Sequence, residues 1–215
     1  MRGSAVVAYL AIAVLGAACA SPRADRPDSF AAAARADPTP GAARLADVAS
    51  RITLALDDVC ACRAAPDGDP AAFGLCGYPI RIETAAAPQA STNGRRIRIT
   101  SGMLRFFAHD AELAFVLAHE LSHLLLDHAG AFAGRPPEGF EAAADRLGIQ
   151  IVSRAAFDTA VAADFPKRLA GREPAFSARR AAAHRSAQRA AMIRSALATD
   201  AGRLELAKLG EGCRR

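Results

Sequence analysis

The string His119-Glu120-Leu121-Ser122-His123 constrains this chain more than any other stretch of it. Two histidines four residues apart fall on one side of a helix, about one turn from each other. Both imidazoles then reach a single divalent cation, and Glu120 beside them reaches a water on that cation without ligating it. The flanking residues Leu113, Phe115, Val116, Leu117, Leu121, Leu124 and Leu125 are apolar on more than one side of the helix. A helix of that pattern is buried, and buried imidazoles and carboxylates need partners. The string therefore predicts a buried, metal-bearing helix from Ala111 to about His128, with Asp110 as its N-cap.

A catalytic zinc has three protein ligands and one open position. The extended pattern HExxHxxGxxH is absent, because Leu126 stands at its glycine and Ala129 at its last histidine. The nearby carboxylates Asp127, Glu138, Glu141 and Asp145 are then the candidates for the third ligand. Gly130, Gly134, Pro136 and Pro137 break the first helix, and a second is expected from Glu138 to Arg154. If the two run antiparallel, a rise of about 1.5 Å per residue sets Glu141 at the height of His123. Glu141 is thus the expected third ligand. Asp145, one turn further on, falls level with His119 and would accept a hydrogen bond from its imidazole. The competing reading of this acidic pair is a solvated face matched to Arg146.

Around this pair the sequence predicts an α+β domain, mainly helical, with a small sheet beside the metal-bearing helix. Leu45, Val48, Ile52 and Leu56 form one apolar stripe at helical spacing. Cys60 to Gly77 reads as loop. Pro79–Glu83 and Arg96–Thr100 read as strands, the second with Ile97 and Ile99 alternating with Arg96, Arg98 and Thr100. Asn93-Gly94 signals a turn before it, and Met103–Phe107 begins a short helix. Further alanine-rich helices are expected over 158–170 and 178–197. Hydrophobic residues make up 52% of the 215, which excludes wholesale disorder. The net charge of +5 comes from 27 basic and 22 acidic residues, a balance that implies no nucleic-acid partner.

The N-terminus bears on compartment. Arg2 precedes an uncharged, mostly apolar run from Gly3 to Ala18, shorter than the about 20 residues of a membrane span and laid out like a secretory signal. Small residues before Cys19 resemble a lipobox, which would make Cys19 the lipidated first residue of a bacterial envelope protein facing the periplasm. The alternative is ordinary cleavage after Ala20, leaving a soluble periplasmic protein. The expected organisation is a signal peptide over 1–18, a flexible tether over 19–43 and a zinc metallopeptidase domain over 44–215. Four further cysteines, Cys60, Cys62, Cys76 and Cys213, suggest two disulfides in an exported chain. Pairing within Cys60-Ala61-Cys62 is strained, so one of those two is expected to bond Cys76 and the other Cys213. A zinc cluster of the four is the rival reading.

The motifs together resemble the HtpX and CAAX prenyl protease family of zinc metallopeptidases, in particular its soluble periplasmic lipoprotein members. The resemblance runs over about residues 75–200. It rests on Asn93 in the turn, Ile97 to Leu104 after it, Ala111 to Ala118 leading into His119, Glu141 with Asp145, and Asp145-Arg146-Leu147-Gly148 with Phe157-Asp158 beyond. It implies a zincin-like core, one Zn²⁺ per chain on His119, His123 and Glu141, and Glu120 as general base. It also implies hydrolysis of unfolded or misfolded envelope polypeptides. Arg96–Thr100 would be a sheet edge on which an extended peptide adds as a strand. Candidate substrate contacts are Asn93, Arg96, Ile97, Arg98, Ile99 and His184. The family's later His-Pro segment and arginine have only a loose counterpart in His184-Arg185 and Arg189, which otherwise read as polar residues of a basic helix. The rival function is a zinc-containing, chaperone-like binding protein that seldom cleaves, against which the intact Glu120 argues. The lipid bilayer would be a partner only through the N-terminal lipid.

Overall fold

The computed structural model describes residues 39–60, 74–126, 138–171, 182–199 and 206–209. The expected signal, tether and lipidation site at Cys19 lie outside these residues, as do Cys62 and Cys213 and the side chains of Cys60 and His184. Cys76 is disulfide-bonded.

Helix α1 (Ala42–Ala55) forms because Leu45, Val48, Ala49 and Ile52 make one continuous buried stripe. It begins two residues before the expected domain boundary, behind Gly41 in the left-handed region at φ 93°. A single turn, α2 (Asp57–Cys60), follows. The sheet comprises β1 (Gly74–Leu75), β2 (Tyr78–Glu83), β3 (Ala90–Thr92) and β4 (Ile97–Thr100), in the order β1-β2-β4-β3. The β2–β4 pair is parallel, with Ile80 opposite Ile97 and Arg81 opposite Arg98, whereas β3 runs antiparallel to β4. The isoleucines face the core and the arginines face solvent, as the alternation requires.

This order corrects one expectation. Strand β4 is bonded on both sides and is no sheet edge. The edges are β1 and β3, and the one beside the metal-bearing helix is β3, whose three residues are too few and too mixed in polarity to carry a period-two signal. Thr100 N–H donates to Gln89 O and Asn93 N–H donates to Arg96 O, so the odd-numbered residues face β4. Ala90 and Thr92 therefore turn their backbone groups outward, away from the sheet.

Thr100 also caps α3 (Ser101–Phe106): its Oγ1 accepts the Met103 N–H at 3.1 Å. The helix starts two residues earlier than expected, at Ser101. Gly102 permits this, since a Cβ there would lie 2.2 Å from the Ala86 carbonyl oxygen.

Helix α4 (Asp110–Leu125) is buried from Ala111 to Leu125. Its cap is His109 rather than Asp110. Glu112 is the reason: its Oε2 accepts the N–H groups of Ala108 at 2.7 Å and His109 at 3.0 Å, closing the first turn one residue earlier. Asp110 instead pairs with Arg44 at 2.6 Å. The helix ends at Leu125, short of the expected His128.

Helix α5 (Glu138–Arg154) has the expected bounds and packs on α4. Gly148 sets how closely: a Cβ on it would stand 3.2 Å from the His119 nitrogen. Helices α6 (Thr159–Gly171) and α7 (Ala182–Ala198) complete the shell. Gln150 on α5 donates to the Ala196 carbonyl at 2.8 Å and ties α7 to it. The result is mainly helical with a small mixed sheet, an α+β fold.

Candidate metal centre and active site

The two histidines reach one point because the helical period stacks them. His119 Nε2 and His123 Nε2 are 3.2 Å apart, with ring planes at 85°. Glu141 arrives from α5, its Oε2 at 3.4 Å from His119 Nε2 and its Oε1 at 3.6 Å from His123 Nε2. Gly148, further along α5, lies against the His119 backbone, while the Glu141 side chain reaches both imidazoles.

These spacings can be tested against a metal. A tetrahedral zinc with bonds of about 2.0–2.1 Å separates its ligand atoms by about 3.4 Å. The three separations of 3.2, 3.4 and 3.6 Å bracket that value. Two imidazoles and a carboxylate are also the donor set of a catalytic zinc with one position open. Among the described residues, His119, His123 and Glu141 form the group of metal-ligating side chains that converges in this way. The donor set and its spacing fit Zn²⁺.

Behind the ligands lies an ion-paired layer. Asp145, fully buried, places Oδ1 2.9 Å from His119 Nδ1, close but not in the alignment of a full hydrogen bond. Arg189 of α7 grips the same carboxylate with two donors, Nη2 at 2.8 Å from Oδ1 and Nε on Oδ2. It also stands 3.9 Å from Glu141. Arg146, the partner in the competing reading, has no part in these contacts. Arg189, read from sequence as a surface residue of a basic helix, faces the site. Nothing in local spacing marks it, since 44 residues separate it from Asp145; the pointer was the arginine that follows the His-Pro segment in the resembled family.

The charges follow from these contacts. Burial alone would lower the pKa of His119, but Asp145 and Glu141 outweigh it and lift it to about 9. Glu141 is drawn down to about 2, chiefly by its hydrogen bond to His119 and against its own desolvation. Burial would raise Asp145, yet the hydrogen bonds from Arg189 and the adjacent His119 imidazole hold it below the usual carboxylate range. Glu120 goes the other way. Burial pushes it up, opposed by His119, reinforced by Glu141, and opposed again by Arg189 and a hydrogen bond to the Thr92 backbone. A carboxylate with a raised pKa, next to the ligands but outside the ligand set, is suited to accept and return a proton.

A cavity of about 390 Å³ opens on these groups. His119, Glu120, His123, Glu141 and Arg189 line it, together with the edge strand residues Ala90, Ser91 and Thr92. The residues expected to touch substrate from β4 are placed elsewhere. Ile97 and Ile99 are buried in the core. Arg96 and Arg98 are exposed, and Arg98 pairs with Glu83 at 3.6 Å and Ser91 at 3.4 Å. Asn93 spends its Oδ1 on the Arg95 and Arg96 N–H groups of the turn. Sequence reasoning missed the strand that does border the site, because its neighbour β4 carried the clear alternation.

The family model of peptidase family M48 matches residues 84–134. The matched stretch contains β3, β4, α3 and the whole of His119 to His123, and it stops before Glu141. Over this quarter of the chain the sequence is similar to peptidase family M48. No curated protein sequence matches the chain.

Proposed function

We propose that this protein is a zinc-dependent endopeptidase that cuts extended, unfolded polypeptides. The observation that carries the reading is the convergence of His119, His123 and Glu141 at tetrahedral spacing beside a buried, non-ligating Glu120. When bound there, Zn²⁺ supplies a Lewis acid that acidifies water and polarises a carbonyl. Glu120 takes the proton from the attacking water and hands it to the departing amine. Asp145 and Arg189 hold the His119 ring in place, leaving Nε2 directed at the ligand site. The outward backbone groups of Ala90 can pair with an extended peptide, which favours unfolded substrates over folded ones.

Location is a separate part of the proposal. The apolar run over 3–18 and the small residues before Cys19 support export to the bacterial envelope with a lipid anchor on Cys19. Misfolded envelope proteins would then be the substrate pool. Cys19→Ser should release the protein from the membrane fraction or block its processing; recovery of a mature, lipid-free chain beginning at Ser21 from wild type would overturn the anchor.

The activity is tested with unfolded casein, with and without chelator, beside Glu120→Gln. The amide keeps the shape of the side chain but cannot accept the proton. Zinc content and fold should survive, while hydrolysis falls by about 10²–10⁴-fold. A zinc-replete Glu120→Gln protein that hydrolyses casein like wild type would refute the mechanism.

A further inference from the structure

The face of the sheet turned away from the core carries an unbalanced charge. Arg81 on β2 stands directly beside Arg98 on β4, in register across the parallel pair. Arg95 and Arg96 lead into β4, and all four arginines are exposed. Glu83 is the only acidic residue among the described strand residues, and it lies 3.6 Å from Arg98 Nη1. Like charges directly opposite one another on neighbouring strands are destabilising. One carboxylate offsets part of that repulsion and leaves the face positive.

This face is continuous with the cleft. Ser91 lines the cavity, and its register partner on β4 is Arg98. Arg98 Nη2 donates to Ser91 Oγ at 3.4 Å, so the guanidinium reaches the edge strand. Ala90 and Thr92 turn their backbone groups outward, and a peptide that pairs with them lies about 4.8 Å from β3. Side chains of directly neighbouring residues on adjacent strands share a face. The substrate residue beside Ser91 therefore projects on the arginine-bearing face, whichever way the peptide runs, and so do the residues two positions to either side. An aspartate or glutamate there is attracted by the Arg98 guanidinium, and a lysine is repelled. The contact with Glu83 is no obstacle. Both side chains are about half exposed, at 48% and 49%, and an exposed pair of this kind is weak enough to be exchanged for a substrate carboxylate.

We infer that the outer face of the sheet is a subsite for acidic residues: Arg98, flanked by Arg81 and Arg96, selects polypeptides that carry an aspartate or glutamate beside Ser91. The inference rests on the peptidase reading and on strand addition at β3, and it adds the charge of the substrate that the cleft prefers.

The test uses an uncharged, extended host peptide in which glutamate, glutamine or lysine is placed at one position after another. An exposed ion pair changes an equilibrium by about 1.5–5-fold. At one position glutamate should therefore exceed glutamine by about 2–5-fold in kcat/KM, with lysine below both. A weaker preference should recur two residues away and be absent at the residue between. At ~1 M salt, where charges are screened within about 3 Å, the glutamate-to-glutamine ratio should fall towards one. Arg98→Gln should bring the ratio to about one, and Arg98→Glu should invert the preference in favour of lysine. The same peptides are titrated against zinc-loaded Glu120→Gln by fluorescence anisotropy, where the order of Kd should repeat. A ratio of one at every position, or a ratio unchanged in Arg98→Gln, would overturn the subsite while leaving the peptidase intact. If no peptide is cut, the peptidase reading fails, and the order of Kd alone decides the subsite, equal values overturning it. Equal peptides combined with Arg98-dependent binding to phosphatidylglycerol over phosphatidylcholine vesicles would assign the face to a membrane surface and overturn the proposal.

Discussion

The two sides of the cavity are built differently. The metal side is local. Two residues one turn apart on α4 and one at the start of α5 converge because helical periodicity and the packing of α5 on α4 leave them no other place. The substrate side is assembled from afar: an edge strand before α4, the proline-bearing turn of α6 and a lone arginine of α7 meet across long stretches of chain. The first depends on spacing that any helix would realise. The second depends on the whole domain having folded. Damage to the metal side should therefore remove chemistry and spare the fold, whereas damage to the substrate side should cost stability or selectivity and spare the metal.

The largest effect should come from His123→Ala. With one of three ligands gone, stoichiometric zinc is lost and chelator-sensitive hydrolysis disappears, while the circular dichroism spectrum of the metal-free protein is preserved. Zinc content by atomic absorption and casein hydrolysis read both. The opposite pattern should follow from Glu112→Ala. Glu112 is buried and Arg168 of α6, paired with it at 2.6 Å, is one-third exposed, so breaking the pair should destabilise the protein by about 3 kcal/mol, the lower end for an interior ion pair. Denaturant unfolding checks it. Loss of zinc from Glu112→Ala under conditions where it remains folded would erase the distinction between the two sides.

A smaller effect is expected where the two sides join. Arg189 belongs to α7, yet it grips the aspartate that holds His119. Asp145→Asn and Arg189→Met should each weaken zinc affinity by about 10–100-fold. Because they act through one contact, the double variant should be little worse than either alone. Competition with a chromophoric chelator measures this, and additive losses would show that Arg189 acts on the metal site by another route.

The smallest effect is on the stability of the metal-free protein against pH. His119 has a folded pKa of about 9, above its ordinary 6.5, so its contribution is complete below about 6.5 and is lost as pH rises through 9. Glu141 is lowered from 4.5 to about 2, so its contribution is complete above about 4.5 and is lost as pH falls through 2. The melting temperature of the metal-free form should be highest between about pH 4.5 and 6.5. His119→Ala should flatten the alkaline side, and an alkaline slope left unchanged would assign that stability to another group.

The same contrast governs what the sequence made legible. The bounds of α5, the stripe of α1 and the approach of the Glu141 and Asp145 side chains to the histidines followed from periodicity and from the Gly/Pro break between 130 and 137. The first turn of α4 did not. Asp110 is the better cap by composition, but the carboxylate of Glu112 bonds the N–H groups of Ala108 and His109 and moves the cap back one residue. Strand β3 was missed because three residues carry no period, and β4 was misplaced at the edge because alternation says which face is buried and nothing about which neighbours are bonded. Arg189 and the α6 wall are products of tertiary packing, to which spacing is blind.

The central claim is that one zinc sits where α4 and α5 converge. Anomalous diffraction collected on both sides of the zinc absorption edge, from crystals of the protein purified without added metal, addresses it directly. The account predicts a single zinc peak at about 2.0–2.2 Å from His119 Nε2, His123 Nε2 and a Glu141 carboxylate oxygen, with Glu120 outside bonding distance. A peak bound by Glu138 or by the cysteines instead, or no zinc at His119 and His123 in protein that hydrolyses casein, would contradict it.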